Sequence, residues 1–523
     1  MHHLFRFARF RVGLASVLLL GFVTLAANAH HRTNFEQLDR YFSSALKQWH
    51  VPGMAIAVVK DNEVVFARGY GDRHTSRGGR VDEHTLFAIA SNSKAFTAAA
   101  LAILVDENKL HWDDRVTRYL PYFQLYDPYV AHEMRVRDLL CHRSGLGRFS
   151  GDLLWYGTNY TAEEVIRRAR YLPPASSFRA KYGYSNLMFI SAGEIVPAIT
   201  GKTWSAFVKE RIFDKLGMDN TVISVSSLSG KENVATPHRE ADGKTVALDW
   251  VGWDNMAAAG GIISSVSDMS KWIELQLNRG HIGEVTIFST EASRTMWSPH
   301  TIVPISETSR KIYPSTHFKA YGLGWAMMDY LGRKVLTHGG GYDGMFSRVA
   351  LVPEENLGMV ILTNGMTNLQ TALVYKILDA YLGGDERDWS AELLELARKN
   401  KSKTAERRAQ AARNRVRETK PALPLESYAG TYGGEMYGDA EVTLENGSLV
   451  LHLLPNPDLT GDLSHWHFDT FVVNWRKQFA WFDEGTVQFL LDADGQVAEM
   501  KIDVPNQDFW FTELEFKRKE QRK

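Results

Sequence analysis

Over roughly its last hundred residues the chain alternates apolar and polar side chains with a period of two. The segments AEVTLENGSLVLHLL, TFVVNWRKQFAWF, TVQFLLDADGQVAEMKIDV and WFTELEFK carry the pattern. A strand turns successive side chains to opposite faces, so the pattern fits half-buried strands. Asn446-Gly447 and Asp494-Gly495 supply hairpin turns between them. Short strands at this spacing predict a small all-β antiparallel barrel or sandwich over residues 425–523. Its tryptophans and phenylalanines, among them Trp466, Trp475, Trp481 and Trp510, read mostly as core. His465 and His467 stand at i and i+2, on one strand face, either as two metal ligands or as ordinary surface.

Ahead of this region the character changes. Residues 385–424 are helix-prone and then strongly basic, with ten Lys or Arg between Arg398 and Lys420. Pro421 and Pro424 close the run. A solvated helical linker is expected, with contact to anionic envelope polymers as the sharper alternative.

Residues 30–384 read as mixed α/β. GMAIAVVKDNEVVFARGYG predicts a hairpin around Asp61-Asn62, and SRVALVPEENLGMVILTNG two strands around Pro353 and Asn356. KAFTAAALAILVDENKL and TAEEVIRRARYL have helical periodicity.

The first 29 residues have the layout of a secretory signal peptide. Arg6, Arg9 and Arg11 precede the apolar run VGLASVLLLGFVTLA, and Ala27-Asn28-Ala29 gives a small-x-small cleavage site. A mature chain beginning at His30, periplasmic or secreted, is expected, and the alternative is an uncleaved anchor. His30-His31 would then be a terminal pair able to hold copper. Cys141 is the only cysteine, so an intrachain disulfide is impossible. On the apolar stretch DLLCH it reads as packing rather than as a nucleophile. A net charge of -1 points away from nucleic acid, and 44% hydrophobic residues give no sign of global disorder.

The chemistry begins in LFAIASNSKAFTAAALAIL, residues 86–104, where an apolar segment runs into an alanine-rich helix. Ser91 at the helix start lies beside unpaired N–H groups and the positive end of the dipole, both favourable to an oxyanion. Lys94, three residues on, shares its helical face and reaches the same hydroxyl. Burial there lowers the lysine pKa and lets it accept or relay the serine proton. The bland alternative is a serine N-cap and an exposed lysine.

Further on come Tyr184-Ser185-Asn186 in KYGYSNLMFISAGEIV and His338-Gly339-Gly340 in KVLTHGGGYDGMFSRVALVP. Together with S-x-x-K, in this order, they resemble the serine β-lactamase and penicillin-binding-protein superfamily. More narrowly the chain is similar to the class C β-lactamase, D-aminopeptidase and esterase branch. LLCHRSGLGRF, IFDKLGMDNTV, AAGGIISSVSDMSKWI and GMVILTNG look like further blocks of that branch. The resemblance implies an α/β (α+β) β-lactamase/transpeptidase-like catalytic domain, an antiparallel sheet flanked by helices. It also implies a lipocalin-like C-terminal barrel, which in relatives can shield the site.

The resemblance makes Ser91 the acylated nucleophile, Lys94 its proton partner and Tyr184 a general base acting jointly with it. Asn186 would bind the substrate amide and fix Lys94. The oxyanion hole would be the N–H groups of Ser91 and Gly341, beside Gly340, and Asn364 would contact a substrate carboxylate. His338 stands where many β-lactamases have lysine, which argues against tight β-lactam binding and offers a titrating group, as in Ser-Lys-His peptidases. His338 as a strand-end histidine that merely packs is the alternative.

An exported serine hydrolase is therefore expected, without cofactor or metal, on a small peptide, amide or ester. Peptidase or D-amino-acid amidase comes first, then carboxylesterase, then weak β-lactamase. A non-turnover acylated sensor or a structural scaffold is the rival of another class. Trp155, Tyr156, Trp250 and Trp253 would line an acyl pocket or cover the core.

Overall fold

The computed structural model describes residues 34–520. The expected signal segment and His30-His31 lie outside the described residues. No described helix is long and apolar enough to cross a membrane.

An eight-stranded antiparallel sheet organises the first part of the chain. Its order is Glu63–Gly71, Gly53–Lys60, Leu357–Thr363, Met345–Val352, Arg333–Tyr342, Ala326–Tyr330, Lys319–Tyr321 and Thr301–Ile302. Gly53–Lys60 is buried on both faces, which explains an apolar run where a surface strand would alternate. Ile56 and Val58 meet one apolar cluster with the helices Phe35–Gln48 and Leu369–Leu382. Ala55 and Ala57 meet the other, with the helices Ser93–Asp106, Asn186–Thr200 and Val266–Leu277. Asp61 and Asn62, both at positive φ (53° and 67°), make the tight turn that the right-handed strand twist favours.

The helix Ser93–Asp106 has no solvent face, since every residue from Ser93 to Leu104 is buried. Its alanines allow close neighbours. Where Asn186–Thr200 meets the turn Ala257–Gly260, a Cβ on Gly193 would lie 2.4 Å from the Ala258 Cβ.

The last eight strands close into an antiparallel barrel in sequence order, Gly430–Gly434 pairing with Phe516–Arg518. Tyr428, Tyr432, Phe471, Phe489 and Phe516 fill the interior. Most of the aromatic residues expected in that core are there: seven phenylalanines, among them Phe471, Phe489 and Phe516, are buried, and Trp475 and Trp481 pack half-buried against them, while Trp466 is half-buried and Trp510 is 44% exposed. A register shift between His465 and His467 breaks the shared face expected of them. His465 Nε2 instead bonds the Phe468 carbonyl, and no group of three potential metal ligands occurs among the described residues.

The basic run forms the helix Trp389–Arg413. Its first turn is anchored, with Trp389, Ser390 and Leu393 buried. Residues 398–418 are all exposed, and a few of their charges have partners. Lys401 pairs with Glu240, Arg408 with Asp483 of the barrel, and Arg415 lies over the Trp466 ring.

Candidate active site

Ser91 sits in a 3₁₀ turn, Ala90–Asn92, one step before the α-helix rather than within it. The turn is held from outside. Ile89 N–H donates to the Ile262 carbonyl at 3.0 Å, and the Ile89 carbonyl accepts from Ser347 Oγ at 2.7 Å. Asn92 Nδ2 donates to the same Ser347 hydroxyl at 2.8 Å. Ala90, fully buried, takes φ +47°, a conformation that costs a non-glycine residue about 1–3 kcal/mol and persists only under such constraint. Gly340 closes over the turn. A Cβ there would lie 2.2 Å from the Ile89 carbonyl oxygen and 2.3 Å from Ser347 Oγ, so only glycine fits.

Lys94 is fully buried, and its ammonium has three acceptors for its three protons. Nζ donates to Ser91 Oγ at 3.0 Å, to Asn186 Oδ1 at 2.7 Å and to the Ala259 carbonyl at 2.8 Å. The rings of Tyr184 and Phe189 lie 5.0 and 5.4 Å away. Burial brings the lysine down to about 7, opposed by the nearby Asp152 carboxylate. Asp152 accepts from Asn186 Nδ2 at 2.6 Å, and burial raises it to about 8. Asn186, the first residue of its helix, thus stands between the two titrating groups.

The Ser91 hydroxyl also bears on the Tyr184 phenol, which burial raises well above the ordinary tyrosine value. Its ring rests on His142 at 4.1 Å, and His142 Nδ1 accepts from Ser185 N–H at 3.1 Å. Ser91 therefore lies between a lysine able to lose its proton near neutrality and a phenol that keeps one.

His338 lines the same cavity, of about 620 Å³, as Ser91, Tyr184 and Asn186. It does not titrate near neutrality as the sequence suggested. Burial, with the Lys94 charge, lowers it to about 3. Its Nδ1 faces the Gly339 carbonyl and its Nε2 the Tyr321 hydroxyl, both at 2.7 Å. A carbonyl only accepts, so the proton sits on Nδ1 and Tyr321 donates to Nε2. The neighbouring strand Ala326–Tyr330 pairs no further along than Thr337, leaving His338–Tyr342 as a free edge on that side.

Asn364 is not brought to this cavity. Its Oδ1 accepts from Gly53 N–H at 2.6 Å and its Nδ2 donates to the Asp72 and Arg73 carbonyls, each at 3.1 Å. It ties the end of one strand to the loop after another. Cys141 is buried, its thiol pushed up to about 12, and takes no part.

The barrel supplies one wall. Trp481, Gln507, Asp508 and Phe509 line the cavity, with Arg148 3.8 Å from Asp508. Trp155 and Trp253 line it too, 5.2 Å apart. Tyr156 lies behind and donates to Asp343 at 2.6 Å, while Trp250 packs on Tyr342. Asp152 and Ser347 were not expected at the site, whereas a barrel shielding it was, though without its individual residues. An acid inside the apolar stretch GDLLWY was the one available signal for Asp152.

The Beta-lactamase family model matches residues 38–382, and a model for a domain of unknown function, DUF3471, matches residues 414–521. The chain is 31% identical over 440 residues to the unguisins hydrolase UngD of Aspergillus violaceofuscus, covering 79% of this chain and 77% of that protein. It is 24% identical over 339 residues to the protein Flp of Staphylococcus aureus, 63% of each chain. Among solved structures, the octameric penicillin-binding protein homologue from Pyrococcus abyssi superposes with a TM-score of 0.61 at 21% identity, over 93% of this chain and all of that one. That last likeness is one of fold.

Proposed function

The chain belongs to the Beta-lactamase family and is a serine hydrolase of that fold, and we propose that it acts through an acyl-enzyme on Ser91, on small peptides, amides or esters. The observation that carries this reading is the coordination of Lys94. Once it loses a proton, two N–H bonds still satisfy Asn186 and Ala259, and the lone pair faces the Ser91 hydroxyl.

In the first step Ser91 Oγ bonds to the substrate carbonyl carbon as its proton passes to Lys94. The carbonyl electron pair moves onto oxygen, held by the N–H groups of Ser91 and Gly341. The tetrahedral species then expels the amine or alcohol, which takes a proton from Lys94 or from the Tyr184 phenol beside it. Water repeats the sequence on the ester and frees Ser91. Because burial raises Tyr184 and lowers Lys94, the lysine is the base, and its ammonium returns the proton to the leaving group directly or through the Tyr184 hydroxyl, which gives one proton as it takes another. The scheme needs no metal or organic cofactor.

The free edge at His338–Tyr342 favours a peptide over a simple ester, since an extended backbone can add to it as a strand. A neutral His338 in place of lysine disfavours β-lactams. The N-terminal pattern supports export to the periplasm or outside the cell.

The test is intact-protein mass and product release together, with an activated acyl ester and the Ser91→Ala variant alongside. A transient adduct with repeated turnover is expected, falling by about 10³-fold or more in Ser91→Ala. An adduct that forms once and persists makes the protein an acylated sensor. Equal turnover in the variant overturns the assignment of Ser91.

A further inference from the structure

Asp343 is a buried acid set among aromatic donors. It stands in the two-residue turn Asp343-Gly344, which joins the strand carrying His338 to the strand carrying Ser347, and it is 2% exposed. Its Oδ1 accepts from the Tyr156 hydroxyl at 2.6 Å. Its Oδ2 is closed off from solvent and has no partner at hydrogen-bond length among the described residues. The indole N–H groups of Trp253 and Trp481 are closed off in the same way, and both bear on this carboxyl. The titratable groups tied to it are the phenols of Tyr156 and Tyr342, each raised well above the ordinary tyrosine value, and Asp458 and Asp254 bear on those phenols in turn. None of these is a cation. A carboxylate buried among neutral donors alone is costly for a fold to keep.

The three donors come from separate parts of the molecule. Tyr156 lies just after the turn Asp152–Leu154, Trp253 lies ahead of the turn Ala257–Gly260 whose Ala259 carbonyl takes Lys94, and Trp481 belongs to the barrel. Trp253 and Trp481 both line the cavity that holds Ser91. Their rings have aromatic neighbours: Trp253 packs on Tyr342 with centroids 4.6 Å apart, and Trp481 on Phe346 at 6.1 Å. Ring packing of this kind tolerates sliding and tilting, whereas an N–H bond to a carboxylate fixes a direction. Asp343 is the polar point that these two walls share.

We infer that Asp343 is a positioning residue for substrate selection: its carboxylate draws in the indoles of Trp253 and Trp481 as two walls of the Ser91 cavity, and so limits the bulk of the substrate group that enters. The inference rests on the Ser91 reading and adds to it what sets selectivity, yet it can also be tested without turnover. Only an acceptor can hold both N–H groups, because an indole nitrogen donates and does not accept. The acid also makes the hold sensitive to protons. Burial raises Asp343 to about 6, so it is a carboxylate above that pH and a neutral acid below it, a weaker acceptor with an O–H of its own to place.

The experiment uses the full-length protein and Asp343→Asn, which keeps the shape and turns one acceptor into a donor. Values of kcat/KM are measured for a bulky and a small acyl ester from pH 5 to 8. Titration of the shared base, or a general loss of folded protein, acts on both esters alike and cancels in their ratio. In the parent the bulky-to-small ratio is expected to rise about threefold as pH falls through about 6, and in Asp343→Asn to stand at the raised value throughout. Trp481→Ala should raise the ratio less in Asp343→Asn than in the parent, because the two changes release the same wall. A ratio flat with pH in the parent, or unchanged in Asp343→Asn, overturns the inference. Labelling with 5-fluorotryptophan reads the same contact without turnover. In Ser91→Ala protein the fluorine resonances of Trp253 and Trp481, assigned through Trp253→Phe and Trp481→Phe, should shift with a midpoint near 6 and lose that shift when Asp343→Asn is added. Resonances indifferent to pH overturn the inference as well. If Asp343→Asn does not fold, the pH series of the parent decides in both readouts. Failure of the hydrolase reading shows elsewhere, as no acyl adduct on the Ser91 protein, and leaves the fluorine results standing.

Discussion

Lys94 and Asp152 are joined through a single amide: Asn186 accepts from the lysine at 2.7 Å and donates to the carboxyl at 2.6 Å. Neither titrating group is exposed, so each is the nearest thing the other has to a counter-charge. Burial pushes the lysine down and the acid up, which brings both into the neutral range. The proton on Lys94 is then set by the state of a residue that does not touch Ser91 Oγ.

Removing the acid should therefore move the pH profile. The Asp152 charge raises Lys94, so Asp152→Asn lowers it further, and the acidic limb of kcat/KM moves to lower pH. Ester hydrolysis followed from pH 5 to 9 checks this. A limb centred near 7 in the parent and unmoved in Asp152→Asn would separate Asp152 from the lysine.

Acid should destabilise the fold through its buried histidines. An unfolded chain takes up a proton at His338 near 6.5, while the folded site resists until about 3. Stability is thus complete above about 6.5 and falls as pH drops from there toward 3. The slope is about 1.4 kcal/mol per pH unit per histidine, or about 2 kcal/mol by pH 5. His142, lowered by the same causes, adds to the loss. In urea unfolding at pH 7.5 and 5.0, His338→Gln should recover about 2 kcal/mol of the difference. No recovery would mean that His338 is reached by protons in the folded state.

The barrel wall should set the size of substrate. Trp481 covers the end of the strand edge, its ring 2.9 Å from where a Gly341 Cβ would stand. Trp481→Ala should raise the kcat/KM ratio of a bulky to a small acyl ester by about fivefold or more. An unchanged ratio would assign the indole to holding the barrel in place.

Sequence spacing carried the parts of the site that lie close along the chain. Ser91 and Lys94 are one helical turn apart, and that fixes their meeting wherever the helix goes. The hairpin at Asp61-Asn62 and the barrel turns were legible for the same reason. Asp152 was not, because its meeting with Asn186 is made by two loops and a helix that only the whole fold brings together. Asn364 shows the reverse. Its place in the family pattern suggested a substrate contact, and the fold uses its amide to fasten backbone.

The three oxygens around Lys94 come from Ser91, Asn186 and Ala259, far apart along the chain and near only in the finished domain. A partly folded chain has no weakened version of this site. Until all three arrive, the lysine stays hydrated and keeps its proton. Hydrolysis recovered during refolding should then count completed molecules one by one, and the lag before it appears is the time taken to assemble the last of the three.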